Sequence, residues 1–330
     1  MRIFAGMGLA ALVALAAWGV GKAIPLLGAA VAAIVLGVAV RAAFAPGARF
    51  DAGIRYTGKR VLQWSIVGLG FGLDLGEVAR TGMASLSVML GTLLVAFAAA
   101  LGLGRVLRVP GKLTVLVGVG TAICGGSAIA AVAPIIRPQE HETAFAISTI
   151  FLFNLVAVLL FPALGHLLQL SDAGFGLWAG TAINDTSSVV AAGYAYSPAA
   201  GDHATIVKLA RATMIVPVCL ALAALVAWRG DGAPAGDSRR PRLASVFPWF
   251  ILWFLAASAL RTAGLVPAAW LPALQAAAIA AMVLALAAIG LSADLRRMRA
   301  AGVRPILLGL GVWAAVAAGS LALQFAGGQA

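Results

Sequence analysis

Five polar residues in a row, Asn184-Asp185-Thr186-Ser187-Ser188, interrupt a stretch that is otherwise small or apolar from Gly174 to Ala195. Asp185 is the one carboxylate of the chain's eleven that falls deep inside an apolar run. Placing an acid there costs about 2.5–3.5 kcal/mol on insertion scales, so the run must face a cavity or protein rather than lipid. Its chemistry would be hydrogen bonding to a bound ion or substrate, with Asp185 as the coupling-ion residue that takes up a proton. The structural alternative is a hydrogen-bond cluster between helices.

Lys208-Leu-Ala-Arg211 follows at the start of the next apolar run. Cations three residues apart share a helix face. If both stay charged, Asp185 can balance only one of them, and an unbalanced buried charge calls for a ligand of opposite sign. Arg suits a planar or tetrahedral oxyanion. Two anchors that snorkel to the membrane interface are the alternative, with Lys208 better placed for that than Arg211. A third segment, Gly118 to Pro134, carries Cys124-Gly125-Gly126-Ser127 near its middle. Adjacent glycines weaken a helix by about 1 kcal/mol each relative to alanine. They mark either a discontinuous helix whose N-terminal half faces an anion or a small-residue packing surface.

The elements that must position these groups are apolar helices. Hydrophobic residues make up 62% of the 330 and charged residues 10%, and each run is long enough to cross a hydrocarbon core of about 30 Å. The pattern predicts an all-α, polytopic transmembrane bundle of about eleven spans, near 4–20, 24–40, 61–75, 84–104, 113–134, 143–168, 175–196, 204–227, 246–262, 272–292 and 305–325. Residues 1–330 read as a single integral membrane domain, with 229–245 as a cytoplasmic linker and the first run a retained span rather than a signal peptide. With the N-terminus in the cytoplasm, 17 of the 23 Lys and Arg residues fall on the cytoplasmic side and only Lys22, Arg80, Arg137 and Arg261 opposite. That asymmetry is what the positive-inside rule expects, and it explains the net charge of +12 without nucleic acid. The C-terminus is then outside.

Two of the chemical segments resemble one another. Residues 120–131 and 180–191 share six of twelve positions, including Gly-Thr-Ala-Ile and the serine of each, at an offset of 60. Eleven spans make the two segments parallel; two re-entrant hairpins would make them an inverted repeat. Whether spans 5 and 7 cross, re-enter or run straight stays open at this point. His141, Glu140, Glu142, His166 and His203 form no metal-ligand or catalytic pattern, and Cys124 has no histidine close in sequence, so no enzyme, metal or cofactor is expected.

On Ala122 to Ala128, Val189 to Gly193 with Ser197-Pro198, Lys208-x-x-Arg211 and Ala288 to Leu291, the chain resembles the YeiH-type family of bacterial membrane proteins, named as sulfate exporters. Members usually carry a histidine and a glutamine where this chain has Asn184 and Ser188. The family looks related to the cation–proton antiporter and bile-acid symporter folds. That resemblance implies inverted five-span repeats, residues 24–168 and 175–325 with span 1 extra. It also implies two discontinuous helices crossing at mid-membrane, span 5 broken at Gly125-Gly126 and span 10 broken near Gly290.

The expected function is a secondary transporter, an exporter of a small anion such as sulfate or a sulfonate, coupled to H+ or Na+ in the bacterial inner membrane. Cys124, Gly125, Gly126, Ser127, Asn184, Ser187, Ser188, Lys208, Arg211 and Gly290 are the expected substrate-binding residues. The expected partners are the substrate, the coupling ion and the lipid bilayer, with a homodimer open. A cation–proton antiporter is the alternative, and it would want a second deep acid.

Overall fold

The structure is a computed structural model that describes residues 2–23, 28–44, 46–228, 248–293 and 302–329. The expected linker 229–245 and the basic residues Arg296, Arg297 and Arg299 lie outside the described residues. Every element is helical among those described. They are α1 (Arg2–Ala23), α2 (Gly28–Phe44), α3 (Ala48–Tyr56), α4 (Leu62–Gly70), α5 (Leu75–Ala84), α6 (Leu86–Val106), α7 (Gly111–Ala122) and α8 (Gly126–Ile136). They continue as α9 (Glu140–Leu167), α10 (Asp172–Ala182), α11 (Thr186–Tyr196), α12 (Pro198–Ala212), α13 (Ile215–Trp228), α14 (Phe250–Thr262), α15 (Leu271–Ser292) and α16 (Val303–Ala326). Among the described residues six helical stretches are long and apolar enough to cross a membrane: Ile3–Ala23, Leu86–Val106, Glu140–Leu167, Pro198–Val226, Ala268–Ser292 and Val303–Ala326. Leu12, Leu15, Leu94, Leu101 and Leu164 point outward, as lipid-facing side chains do.

α7–α8 and α10–α11 are hairpins, not crossing segments. In the first, Lys112 Nζ at the start of α7 donates to Arg137 O beyond the end of α8, 2.8 Å away. A straight helix would hold those residues about 38 Å apart. In the second, the rings of Phe175 on α10 and Tyr196 at the end of α11 stack with centroids 4.0 Å apart, and Tyr196 donates to Leu170 O. Each arm holds eleven or twelve residues, about 16–18 Å, half of a hydrocarbon core.

The long α9 is the post between them. Its N-terminal end adjoins the base of hairpin one. Near its C-terminal end, the His166 ring stacks on Tyr196 at the base of hairpin two, centroids 4.2 Å apart. The hairpins therefore enter from opposite ends, and their tips meet beside Ile150 and Asn154, the middle of α9. α12 packs along hairpin two and α13 along α8 of hairpin one. Trp178 fastens α10 by stacking on Phe161, centroids 4.1 Å apart, and by donating its ring N–H to Ala317 O of α16 at 3.0 Å.

A second body is built from α1, α2, α3, α4, α14 and α15. Its seam is α2 against α15, where glycines allow backbone contact. A Cβ on Gly290 would lie 2.3 Å from Ile34 O, and one on Gly37 would lie 2.6 Å from Ala287 O.

Several expectations change. The broken pair is the fifth and seventh apolar segments, and α15 continues through Gly290 to Ser292. Gly290 is a packing glycine whose missing side chain admits α2. A repeat that aligns the straight α2 with the broken α10–α11 does not fit these elements. The third apolar segment begins at Ala48 rather than 61, because Arg49, Asp51 and Arg55 ride outside a helix that buries Ile54 and continues through a π-helical turn, Thr57–Val61. An amphipathic helix, α5, capped by Asp74 on the N–H of Gly76, stands where the sequence reads as a loop.

Candidate functional site

At each tip a helix ends and another begins. The ends of α7 and α10 leave carbonyls without intrahelical partners and carry the negative pole of the peptide dipoles. Lys208 and Arg211 supply the missing donors, and neither reaches an interface: both are 0% exposed. Lys208 Nζ bridges the hairpins, donating to Ile123 O and Ile183 O at 2.8 Å each. Arg211 donates through Nε to Ala122 O at 2.6 Å and through NH2 to Thr121 O at 3.2 Å. Its NH1 donates to Thr181 O of the other hairpin.

The two cations thus lash the tips together. The snorkelling alternative is excluded by burial. Nor do these cations pair with Asp185: among the described residues the ion pair within 4.0 Å is Arg41 with Asp51, far from the tips.

Asp185 instead caps α11, accepting from Ser187 N at 3.0 Å and from Ser187 Oγ. Its own N–H donates to Asn154 Oδ1 at 3.2 Å. Gly125 stands in the aligned position of hairpin one, φ 66° and ψ −126°, a region open essentially to glycine. A Cβ there would press Ile150 Cγ2 at 3.2 Å and approach Asp185 Cβ at 3.6 Å, so the tips are in contact. The first turn of α8 has no side-chain cap. Ser127 on it is exposed and Gly126 half-exposed, whereas Cys124 and Gly125 are buried.

Asn184 is 1% exposed, yet neither its Oδ1 nor its Nδ2 has a partner among the described residues; the Thr121 hydroxyl, 0% exposed, is equally unmet. Ser188 and Asn154 open on a cleft between the hairpin body and the second body, also lined by Ile34, Val38 and Gly290. The cleft holds about 30 Å³ of water-accessible space, room for about two waters. The structure therefore gathers Cys124 to Ser127, Asn184, Ser187, Lys208 and Arg211 at one junction, with Ser188 and Gly290 beside it.

Sequence reasoning missed Asn154, which holds the tip of hairpin two. Its signal was an amide in the middle of an apolar run. It also missed Ser320, which hydrogen-bonds Thr181 at 2.7 Å and steadies α10 below the tip.

Among the described residues no group of three or more His, Cys, Asp or Glu could hold a metal. Cys124 and Cys219 are free, buried thiols.

Comparison with known proteins finds relatives along the whole chain. The family model described as "Conserved hypothetical protein 698" matches residues 5–309. A UPF0324 membrane protein of Streptococcus pyogenes serotype M18 is 43% identical over 331 residues, covering 98% of this chain and 97% of the relative. UPF0324 membrane proteins of Streptococcus mutans serotype c and Fusobacterium nucleatum subsp. nucleatum are 39% and 37% identical, each with 97% of this chain and 96% of the relative covered.

Proposed function

The chain belongs to the UPF0324 family of membrane proteins, which is the YeiH family, and from that premise we propose that it is a secondary transporter of a small anion, sulfate or a sulfonate being examples. The observation that carries this reading is the meeting of two half-length hairpins. Non-helical backbone at membrane depth is tolerated where it is buried in protein or lines a cavity, and opposed half-helices are a recurrent way to build a substrate site at mid-membrane.

The charges favour an anion. Lys208 and Arg211 cancel the negative poles of α7 and α10, and Asp185 sits on the positive pole of α11. The first turn of α8 has no side-chain cap, although Asp185 Cβ lies 3.6 Å from the Cβ position of its N-cap Gly125. Formally the junction holds two cations and one carboxylate. The anion would therefore rest on the first turn of α8, at Gly126 and Ser127, beside Asn184. This differs from a site on Arg211 itself, whose donors already serve three carbonyls.

A cation–proton antiporter fits less well, because it would want a second acid beside Asp185 at the tips, and Asp185 itself is engaged as a cap. Asp185 is the residue through which protons or sodium would couple. It is half-exposed at the tips, and a change in its charge would alter the field at α8.

The positive-inside rule supports an orientation. With the N-terminus cytoplasmic in a bacterial inner membrane, hairpin one enters from the cytoplasm and hairpin two from outside. Arg137, tied to Lys112, then joins the cytoplasmic set, and the C-terminus lies outside.

The test is transport. Purified protein reconstituted in liposomes should carry a labelled anion, or give a current on an anion jump at fixed pH. A response only to alkali cations and protons would replace this reading with the antiporter.

A further inference from the structure

We infer that the substrate is an organic anion, a short alkyl carboxylate or alkyl sulfonate, whose tail of one or two carbons fills the cleft between the two bodies while Asn154 and Ser188 hold its polar head. This rests on the anion reading and deepens it, because the cleft fits a carbon tail that sulfate lacks.

The polarity of the cleft is gathered on one wall. Asn154 is 4% exposed and Ser188 5%, and both line it. Asn154 Oδ1 accepts from Asp185 N at 3.2 Å, which commits that end of the amide to hairpin two and leaves Nδ2 as the free end. Among the described residues Nδ2 has no hydrogen-bond partner, and neither has Ser188 Oγ. Unlike the Asn184 amide, which is sealed in, both atoms keep accessible surface where their residues line the cleft. Two donors, an amide N–H and a hydroxyl, therefore open on one small space. They call for acceptor oxygens, and an ionised carboxylate or sulfonate offers two or three.

The other walls fit a tail. α9 supplies Phe151 and Val158, α2 supplies Val38 and α15 supplies Ile289; beyond Asn154 and Ser188 no lining side chain can make a hydrogen bond. The space of about 30 Å³ has room for about two waters, and a buried water needs two to four polar partners. Asn154 and Ser188 can hold one. No remaining side chain can hold a second, and a space lined in this way takes hydrocarbon in preference to water. A bare sulfate would satisfy the donors and leave the apolar part of the cleft empty. The tail would touch α9 and α11 on one side and α2 and α15 on the other, so it joins the two bodies. The cleft also lies close to the hairpin tips: Asn154 is four residues, about 6 Å along α9, from Ile150, whose Cγ2 is 3.2 Å from the Cβ position of Gly125.

The experiment measures binding of two series to the purified full chain by calorimetry, at fixed neutral pH and ionic strength. One series is formate, acetate, propionate and valerate; the other is sulfate, methanesulfonate, ethanesulfonate and butanesulfonate. Affinity should rise about fourfold per buried tail carbon, reach an optimum at one or two carbons, and fall for the longest member. Ile289→Ala, at a half-buried position, should move the optimum to a longer tail. Ser188→Ala should weaken every member by a similar factor and leave the optimum where it is. The parent series needs no variant, so a misfolded Ile289→Ala leaves the test intact. Sulfate or formate bound as tightly as any tailed member would overturn this inference and leave the anion reading standing. So would an affinity that climbs steadily to the longest tail, or an optimum unmoved in folded Ile289→Ala. If the parent binds none of these anions, the anion reading itself falls.

Discussion

Arg211→Lys separates charge from geometry. The substitution keeps one positive charge in the same buried place, so desolvation and long-range field change little. What it removes is the fork. Arg211 reaches Ala122 O, Thr121 O and Thr181 O, carbonyls on two different hairpins. A single ammonium on a shorter stem, with Lys208 already spanning Ile123 O and Ile183 O, can keep one of those contacts, or two with poorer angles. Hydrogen bonds to charged groups contribute about 1.5–3 kcal/mol each, so losing one or two costs about 2–6 kcal/mol.

The assay is thermal unfolding in detergent together with maleimide labelling of Cys124, which is 6% exposed. The variant should unfold several degrees lower, and Cys124 should react faster as the tips part. An unchanged melting temperature with unchanged Cys124 labelling would refute the lashing role. If anion binding were lost at the same time, Arg211 would be a ligand of the substrate, as the sequence alone suggests.

Gly290→Val should push α15 off α2, since even a Cβ would lie 2.3 Å from Ile34 O; overpacking of this kind costs about 1–3 kcal/mol, or more, measurable by the same unfolding assay. Asp185→Asn keeps an acceptor for the first turn of α11, so it should fold with a loss of about 1 kcal/mol or less, while transport loses its response to pH. Normal pH dependence in that variant would reduce Asp185 to a cap. Single cysteines at Lys112 and Arg137 should be labelled by an impermeant reagent from one face of the membrane, and cysteines at Asp172 and Ser197 from the other. Opposite faces for the first pair would dismiss the hairpin.

Much of this was legible from composition. Apolar runs longer than about 20 residues announce membrane helices, and Gly125-Gly126 and Asn184-Asp185 both mark real breaks. What hydrophobic pattern cannot distinguish is a run that crosses from one that turns back, because lipid and protein interior select the same side chains. The internal similarity at an offset of 60 was the better guide: the two matching segments are the two hairpins. Lys208 and Arg211 show the opposite failure. Charge counting assigned them Asp185 and a ligand, whereas backbone carbonyls exposed by broken helices are partners that no side-chain inventory reveals. Gly290 misled for a related reason, since a glycine that permits close helix packing and one that permits a break are identical in sequence.

The central claim is that an anion rests on the first turn of α8, between the tips. Its most direct measurement is ligand protection of a single cysteine at Ser127, an exposed position, in a chain with Cys124 and Cys219 replaced by alanine. Maleimide labelling of that cysteine should slow saturably as a transported anion is added, and it should be indifferent to the accompanying alkali cation. A rate that ignores every anion across pH and follows the alkali cation instead would contradict the account.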